Sequence, residues 1–110
     1  MRIYVAHPYG RRACFSDDEI EKNVYESIRI GRELILKGHE PYIPNLFHFL
    51  HKGWGSSPNE DRYFHMVSHW IRFCDAFYYG GQSDGCDREK RIALSLRLPI
   101  YYSLEEVPYA

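Results

Sequence analysis

The sequence has few cysteines, no long apolar run and no excess of positive charge. Its three cysteines, Cys14, Cys74 and Cys86, are odd in number, widely separated and without a CxxC pair, which argues against a disulfide framework. No stretch approaches the roughly 20 apolar residues needed to cross a bilayer. The start MRIYVAHPYG has no signal-peptide pattern, so we expect a cytoplasmic protein without a membrane partner.

Net charge and composition narrow the class of partner. The formal charge of −1 provides no positive field for nucleic acid, so we expect no nucleic-acid partner and favour a small molecule. A chain of 110 residues with 45% hydrophobic and 26% charged residues is typical of one soluble domain, here residues 1–110. The ten tyrosines suit either an aromatic core or stacking on a flat ligand or a subunit interface.

Strand and helix patterns alternate along the chain. Short β-branched and aromatic runs predict strands at 2–6, 40–43, 75–79 and 99–102. Apolar periodicity predicts helices at 17–37, from about 58–59 to 72–74, and from Ser83 onward, with a loop or broken helix at 45–57. This order predicts an α/β three-layer sandwich with a small parallel sheet of about four to five strands, flavodoxin-like or Rossmann-like. Ligands of such folds bind beyond the carboxyl ends of the strands.

The strongest local motif is GGQSDGCDRE, residues 80–89, between a predicted strand and a predicted helix. Glycines allow the backbone to turn tightly and approach a ligand, and the helix start with Ser83 can bind an anionic or hydroxyl-rich group. Glu89 lies one to two turns inside that helix, where a carboxylate facing the cleft can act as nucleophile or general base. Gly-Gly after a strand and Ser at a helix start are also ordinary structural signals.

The order of several segments resembles the nucleoside 2-deoxyribosyltransferase-like superfamily. The segments are IYVAHPY, a helix with Asn23, GHEPYIPNLFH and CDAFYYGGQSDGCDREKRIALSLRLPIYY, which together cover most of the chain. The resemblance is nearest to a branch of small proteins of unknown function, and it extends to the deoxynucleoside 5′-monophosphate N-glycosidases. The most specific match is the spacing of Ser83, Gly85 and Glu89, and Tyr4 falls on the family's first-strand tyrosine.

The resemblance implies cleavage of an N-glycosidic bond, or base exchange, on a (deoxy)nucleoside or its 5′-monophosphate. We expect no cofactor and no metal. Glu89 would attack the anomeric carbon and form a covalent glycosyl-enzyme, and Tyr4 would orient Glu89 by a hydrogen bond. The resemblance also implies a homo-oligomer, a dimer or larger. The residues expected to bind the substrate are His7, Pro8, Tyr9, His48, Gly81, Ser83 and Gly85.

The sequence departs from the family at one position. The characterised enzymes carry a catalytic aspartate about two helical turns before the position of Asp75, and here that position is Val67. Either His65 or His69 then moves the proton, or the chain keeps the fold and the binding site without the reaction. The second possibility describes a non-catalytic nucleotide-binding module.

Three further features have ordinary explanations as well as functional ones. The pairs His48/His51 and His65/His69 have spacings that allow a metal site, but no HExxH motif or acidic ligand accompanies them. The loop HPYGRR, residues 7–12, is either a phosphate clamp through Arg11 or Arg12 or a solvated loop. Cys86 lies near a helix start without an adjacent base, which argues against a nucleophilic role.

Overall fold

The computed structural model describes residues 1–10 and 15–110, and within them four short strands form one parallel sheet. The strands are β1 (Arg2–Ala6), β2 (Glu40–Tyr42), β3 (Ala76–Tyr79) and β4 (Ile100–Tyr101). Their order in the sheet is β2-β1-β3-β4, and all three pairings are parallel. The predicted α/β class with a small parallel sheet is confirmed.

Four α-helices and three short 3₁₀ segments connect the strands in the described residues. The helices are α1 (Asp17–Leu36), α2 (Phe47–His51), α3 (Glu60–Ser68) and α4 (Asp84–Ser95). The 3₁₀ segments are Pro44–Leu46, His69–Phe73 and Leu104–Glu106. The predicted helix from 58–59 to 72–74 is therefore two pieces, α3 and a 3₁₀ segment. The region 45–57 contains α2, which agrees with the broken-helix alternative.

The long helix α1 begins at a capping box. The Ser16 hydroxyl accepts the amide N–H of Glu19, and the Glu19 carboxylate accepts the amide N–H of Ser16. Each bond satisfies a backbone donor that the first turn of a helix leaves unpaired. The acidic residues Asp17 and Asp18 in the same turn also offset the helix dipole. The predicted start of α1 is confirmed.

The sheet separates two apolar clusters, because alternate residues of a strand face opposite sides. Ile3 and Val5 of β1 face α1, in a cluster with Ile30 and Leu34. On the other side, a second cluster beneath α4 and the 3₁₀ segment His69–Phe73 contains Tyr4, Ala6, Ile71, Phe77, Cys86 and Ala93. The arrangement has three layers, as predicted, and it places the side chain of Tyr4 on the α4 side.

Some apolar residues of the helix patterns do not join either cluster. Ile35 of α1, Leu94 of α4, Leu96 and Trp70 are exposed. The polar Ser27 and the small Gly31 occupy the buried face of α1 instead. Apolar spacing therefore indicated where helical turns form but did not identify every core residue.

None of the helices within residues 1–10 and 15–110 has both the length and the apolar character needed to cross a membrane.

Candidate active site

A cavity of about 390 Å³ lies beyond the carboxyl ends of β1, β2 and β3. This is where α/β folds with parallel sheets bind their ligands. The loop after β1, the segment after β2, helix α3 and the start of α4 each contribute part of the wall. The residues that form it are His7, Pro8, Tyr9, Gly10, Phe15, Pro44, Asn45, Phe47, His48, His51, Glu60, Tyr63, Phe64, Val67, Gln82, Ser83, Asp84, Gly85, Cys86, Arg88 and Glu89.

Glu89 is a nearly buried carboxylate on the wall of this cavity, with 8% of its surface exposed. It lies in the second turn of α4, on the same helix face as Cys86 and Ala93. The hydroxyl of Tyr4, which is itself fully buried, donates a hydrogen bond to Glu89 Oε2. Phe77 of β3 stacks on the Tyr4 ring, with centroids 5.6 Å apart, and so fixes its orientation.

Burial controls the ionisation of this pair. Loss of hydration raises the pKa of Glu89 from 4.5 to about 7, while the hydrogen bond from Tyr4 opposes that rise. Burial and the adjacent Glu89 together raise the pKa of Tyr4 well above 10. Tyr4 therefore stays protonated and remains a hydrogen-bond donor at neutral pH. Glu89 is poised between its acid and its carboxylate at the same pH, as groups at functional sites often are.

The loop after β1 is held in place by two asparagine side chains. Asn45 Nδ2 donates to the carbonyls of Pro8, at 3.2 Å, and of His7, at 3.4 Å. Asn23 Nδ2 of α1 donates to the carbonyl of Tyr9 at 3.1 Å. These bonds fix the backbone that presents three of the residues expected to bind the substrate. Asn23 and Asn45 both lie in segments that carry the resemblance, but the sequence did not indicate that their side chains position this loop.

His7 lies in this loop and is neutral at physiological pH. Its Nδ1–H donates to the carbonyl of Pro8 at 2.9 Å, which leaves Nε2 as the acceptor of the neutral ring. Partial burial lowers the pKa of His7 below 6.5. A neutral acceptor on the cavity wall can receive a hydrogen bond from a ligand N–H or O–H.

The two glycines after β3 allow the ends of β1 and β3 to approach closely. A Cβ on Gly80 would lie 2.7 Å from the carbonyl oxygen of Ala6, and one on Gly81 would lie 3.0 Å from Pro8. Gly81, expected to bind the substrate, is therefore packed against the loop after β1 and does not line the cavity. Gly85 does line it, and a Cβ there would meet no heavy atom within 4 Å.

Replacing Gly80 with Ala is expected to destabilise the fold by about 1–3 kcal/mol, because overpacking against backbone cannot be relieved by a side-chain rotation. The Gly80 amide also donates to the Ala6 carbonyl at 2.7 Å, so a shift would weaken that bond. Chemical denaturation of the variant measures the loss. Gly85→Ala is the matched control, and we expect it to unfold at nearly the wild-type denaturant concentration. Equal stability of both variants would contradict the close approach at Gly80.

The start of α4 is fixed by side chains of the GGQSDGCDRE motif. The Ser83 hydroxyl accepts the amide N–H of Cys86 at 3.1 Å and caps the helix, as predicted. Tyr79 donates to Asp87 Oδ1 at 2.6 Å, which ties the end of β3 to α4. Burial raises the pKa of Cys86 to about 12, so its thiol is not ionised at neutral pH. This agrees with the interpretation that Cys86 is not a nucleophile.

Tyr9, His48 and His51 meet in the part of the cavity wall formed by the loop after β1 and helix α2. The Tyr9 hydroxyl lies 2.7 Å from His48 Nδ1 and 2.9 Å from His51 Nε2. His48 is 8% exposed, and His51 packs against the ring of Tyr63, with centroids 5.1 Å apart. The i, i+3 spacing of the two histidines on α2 places both rings on one helix face.

The other predicted histidines lie elsewhere. His65 and His69 are exposed, with ring centroids 4.9 Å apart, and neither lines the cavity. Their position gives no support to a role as proton donor. In the part of the chain that the structure describes, no three His, Cys, Asp or Glu side chains converge to hold a metal ion. Arg11 and Arg12, considered as a phosphate clamp, and Cys14 lie outside the described residues.

The cavity contains several residues that the sequence reasoning did not assign to the site. They are His51, Glu60, Tyr63, Phe64 and Arg88. The guanidinium of Arg88 lies 3.8 Å from the centroid of Phe64, so helices α3 and α4 contact each other at the rim. Val67, which the resemblance places at the position of the family's aspartate, is buried in the same wall.

Comparisons with known proteins point to one fold. A 2-deoxyribosyltransferase from Bacillus psychrosaccharolyticus superposes with a TM-score of 0.63 and 19% identity, over 91% of this chain and 69% of that one. A 2-deoxyribosyltransferase from Leishmania mexicana superposes with a TM-score of 0.59 and 19% identity, over 90% of this chain and 61% of that one. No family model and no curated protein matches the sequence. The chain therefore has the fold of 2-deoxyribosyltransferases.

Proposed function

We propose that the chain cleaves the N-glycosidic bond of a (deoxy)nucleoside or its 5′-monophosphate, or exchanges its base. The observation that carries the proposal is the hydrogen bond from the buried Tyr4 to Glu89, whose carboxylate lies on the cavity wall. A partly desolvated carboxylate with a pKa of about 7, aimed by a hydroxyl, suits a nucleophile that attacks a developing oxocarbenium ion. The fold shared with 2-deoxyribosyltransferases supports the choice of substrate.

The proposed reaction has two steps. In the first, a Glu89 carboxylate oxygen forms a bond to C1′ while the C1′–N bond breaks and its electron pair leaves with the base. In the second, water or another base attacks C1′, and the electron pair of the C1′–O bond returns to Glu89. Retaining glycosidases use a carboxylate in the same way.

The cavity has walls suited to both halves of such a substrate. His7 and Tyr9 and the aromatic rings of Phe47, Tyr63 and Phe64 give a face on which a planar base can stack. Ser83 and Gly85 at the start of α4 provide the wall for a sugar hydroxyl or a 5′-phosphate. The volume of about 390 Å³ falls within the range of small-molecule sites.

The test is to incubate the purified chain with ribo- and deoxyribonucleosides and their 5′-monophosphates and to follow free base by chromatography. We expect release from at least one of them and none by the Glu89→Gln variant. Adding a second base separates exchange from hydrolysis. Absence of release from every compound, with and without an acceptor base, would overturn the proposal.

A second candidate function is a non-catalytic nucleotide-binding module. Val67 favours it, because an apolar side chain occupies the position where the characterised enzymes carry an aspartate. Under this alternative, calorimetry would detect nucleotide binding that survives in Glu89→Gln while no base is released.

The homo-oligomer stays a prediction from the resemblance, and light scattering of the purified chain measures its size.

A further inference from the structure

The departing base of an N-glycoside needs a proton, and the cavity must provide it for the proposed function to work. A base that leaves without a proton carries the electron pair of the broken bond as a negative charge, which makes it a poor leaving group. General acid catalysis removes this cost and contributes about 10²- to 10⁴-fold in rate. Because Val67 cannot donate a proton, another group on the cavity wall must do so.

The contacts of Tyr9 determine how protons are shared among its two histidine partners. A phenol has one proton and an oxygen that can accept two hydrogen bonds. The Tyr9 hydroxyl can therefore donate to a ligand while it keeps both contacts, provided that His48 Nδ1 and His51 Nε2 each carry a proton and donate to the Tyr9 oxygen. At 2.7 Å and 2.9 Å, both contacts have hydrogen-bonding length. Tyr9 therefore lies in a continuous path for proton transfer that begins at the cavity.

The far side of His48 faces a carboxylate. His48 Nε2 is buried and has no hydrogen-bond partner among residues 1–10 and 15–110. Glu21 Oε1 of α1 lies 3.8 Å from it, within range of an ion pair when the ring is protonated. Lys52 also pairs with Glu21 and keeps that carboxylate ionised by lowering its pKa. A carboxylate behind an imidazole stabilises the imidazolium form.

We propose that Tyr9 donates the proton to the leaving base and that His48, backed by Glu21, replaces it. This inference rests on the proposed function and assigns the role that the family's aspartate has elsewhere. His51 is a positioning residue that holds the Tyr9 hydroxyl between the two rings. Tyr9 and Glu89 line the same cavity, one on the loop after β1 and one on α4. In the proposed complex the sugar of the nucleoside faces Glu89 and its base faces Tyr9.

The proton balance closes over one turnover. In the first step the Tyr9 O–H bond breaks, its proton goes to a ring nitrogen of the base, and the Nδ1 proton of the His48 imidazolium passes to the Tyr9 oxygen. His48 is then neutral. In the second step water attacks C1′, and its proton returns through Tyr9 to His48 Nδ1, which restores the imidazolium. The same path serves as acid and then as base, as microscopic reversibility requires.

The experiment compares matched substrates that differ in their need for a proton. N7-methyl-2′-deoxyguanosine carries a cationic base that leaves as a neutral molecule, whereas 2′-deoxyguanosine needs protonation. For a pyrimidine-specific enzyme, 5-nitro-2′-deoxyuridine and 2′-deoxyuridine form the equivalent pair. We expect Tyr9→Phe to slow the substrate that needs a proton by about 100-fold or more and its activated partner by less than about threefold. His48→Asn should reproduce the pattern, since an amide can keep the hydrogen bond but cannot exchange a proton.

Three outcomes would overturn the inference. Equal losses on both substrates of a pair would mean that Tyr9 only shapes the cavity, and no loss on either would mean that it has no role. Failure of the wild type on every substrate would remove the proposed function and this assignment together. Glu89→Gln serves as the comparison, and it should lose activity on both substrates of a pair. The control is Tyr25→Phe, which changes an exposed residue of α1. Its rates on both substrates of a pair should match those of the wild type.

Discussion

Replacing Glu89 with Gln is expected to reduce base release by at least about 10³-fold, because the amide cannot form the bond to C1′ that the reaction requires. The substitution preserves the size of the side chain, and its carbonyl oxygen can still accept the hydrogen bond from Tyr4. Initial rates with the best nucleoside of the panel measure the loss. A variant that keeps more than a tenth of the wild-type rate would show that Glu89 is not the nucleophile.

The same variant is expected to be more stable than the wild type at alkaline pH. The pKa of Glu89 is raised by folding, from 4.5 to about 7, so ionisation of the buried carboxyl opposes folding. That cost is absent below about pH 4.5, grows as the pH rises toward 7 and is complete above it. The difference between the two pKa values corresponds to about 3 kcal/mol. Denaturation at about pH 4 and about pH 8.5 should give equal stabilities at the first and a gain for Glu89→Gln at the second.

This gain in stability makes the loss of activity interpretable. A variant that is inactive and at least as stable as the wild type has lost chemistry and not structure. A destabilised Glu89→Gln at about pH 8.5 would contradict the burial and the raised pKa of the carboxyl. In that case the assignment of Glu89 would have to rest on the activity measurement alone.

Replacing Tyr4 with Phe is expected to shift the pH dependence of the reaction and to lower its rate at neutral pH. The Tyr4 hydroxyl stabilises the Glu89 carboxylate, so its removal raises the pKa of Glu89 above about 7. The carboxylate then forms only at higher pH, and the acidic limb of kcat/KM moves in the same direction. A hydrogen bond to a charged group contributes about 1.5–3 kcal/mol, so the loss at neutral pH should be roughly 10- to 100-fold.

Tyr42→Phe is the matched control for this measurement. Its ring lies 5.6 Å from that of Tyr4 and stacks on Trp70, and it does not line the cavity. We expect the pH profile of this variant to overlay that of the wild type. A profile of Tyr4→Phe that also overlays it would show that the hydrogen bond to Glu89 does not set the ionisation of the nucleophile.

Much of the fold could be predicted from local patterns. The run RIYVA, the start of α1 at Asp17, and the alternation of strand and helix are features of neighbouring residues, and each was confirmed. Sequence patterns were less informative about burial, which depends on packing between elements that are distant in the sequence. Leu94 and Leu96 follow a helical apolar pattern but remain exposed, because α4 packs on the sheet through Cys86 and Ala93.

The site likewise contains residues that local sequence predicts and residues that only the folded structure brings together. Ser83 as a cap follows from local sequence, whereas the pairing of Tyr4 with Glu89 was expected only from the resemblance, since 85 positions separate them. The meeting of Tyr9 with His48 and His51 joins segments 39 and 42 positions apart, and no spacing within either segment could indicate it. The exposure of His65 and His69 likewise depends on which faces of α3 and of the following 3₁₀ segment pack inward.

The measurement that tests the central claim most directly is the capture of a glycosyl-enzyme. The wild-type chain is mixed with its best deoxynucleoside, quenched in acid within the first turnover, and analysed by intact mass and peptide mapping. We predict a mass increase of one deoxyribosyl group, located on Glu89 and absent from Glu89→Gln. Base release with no modified protein at any quench time, or a deoxyribosyl group on another residue, would contradict the account.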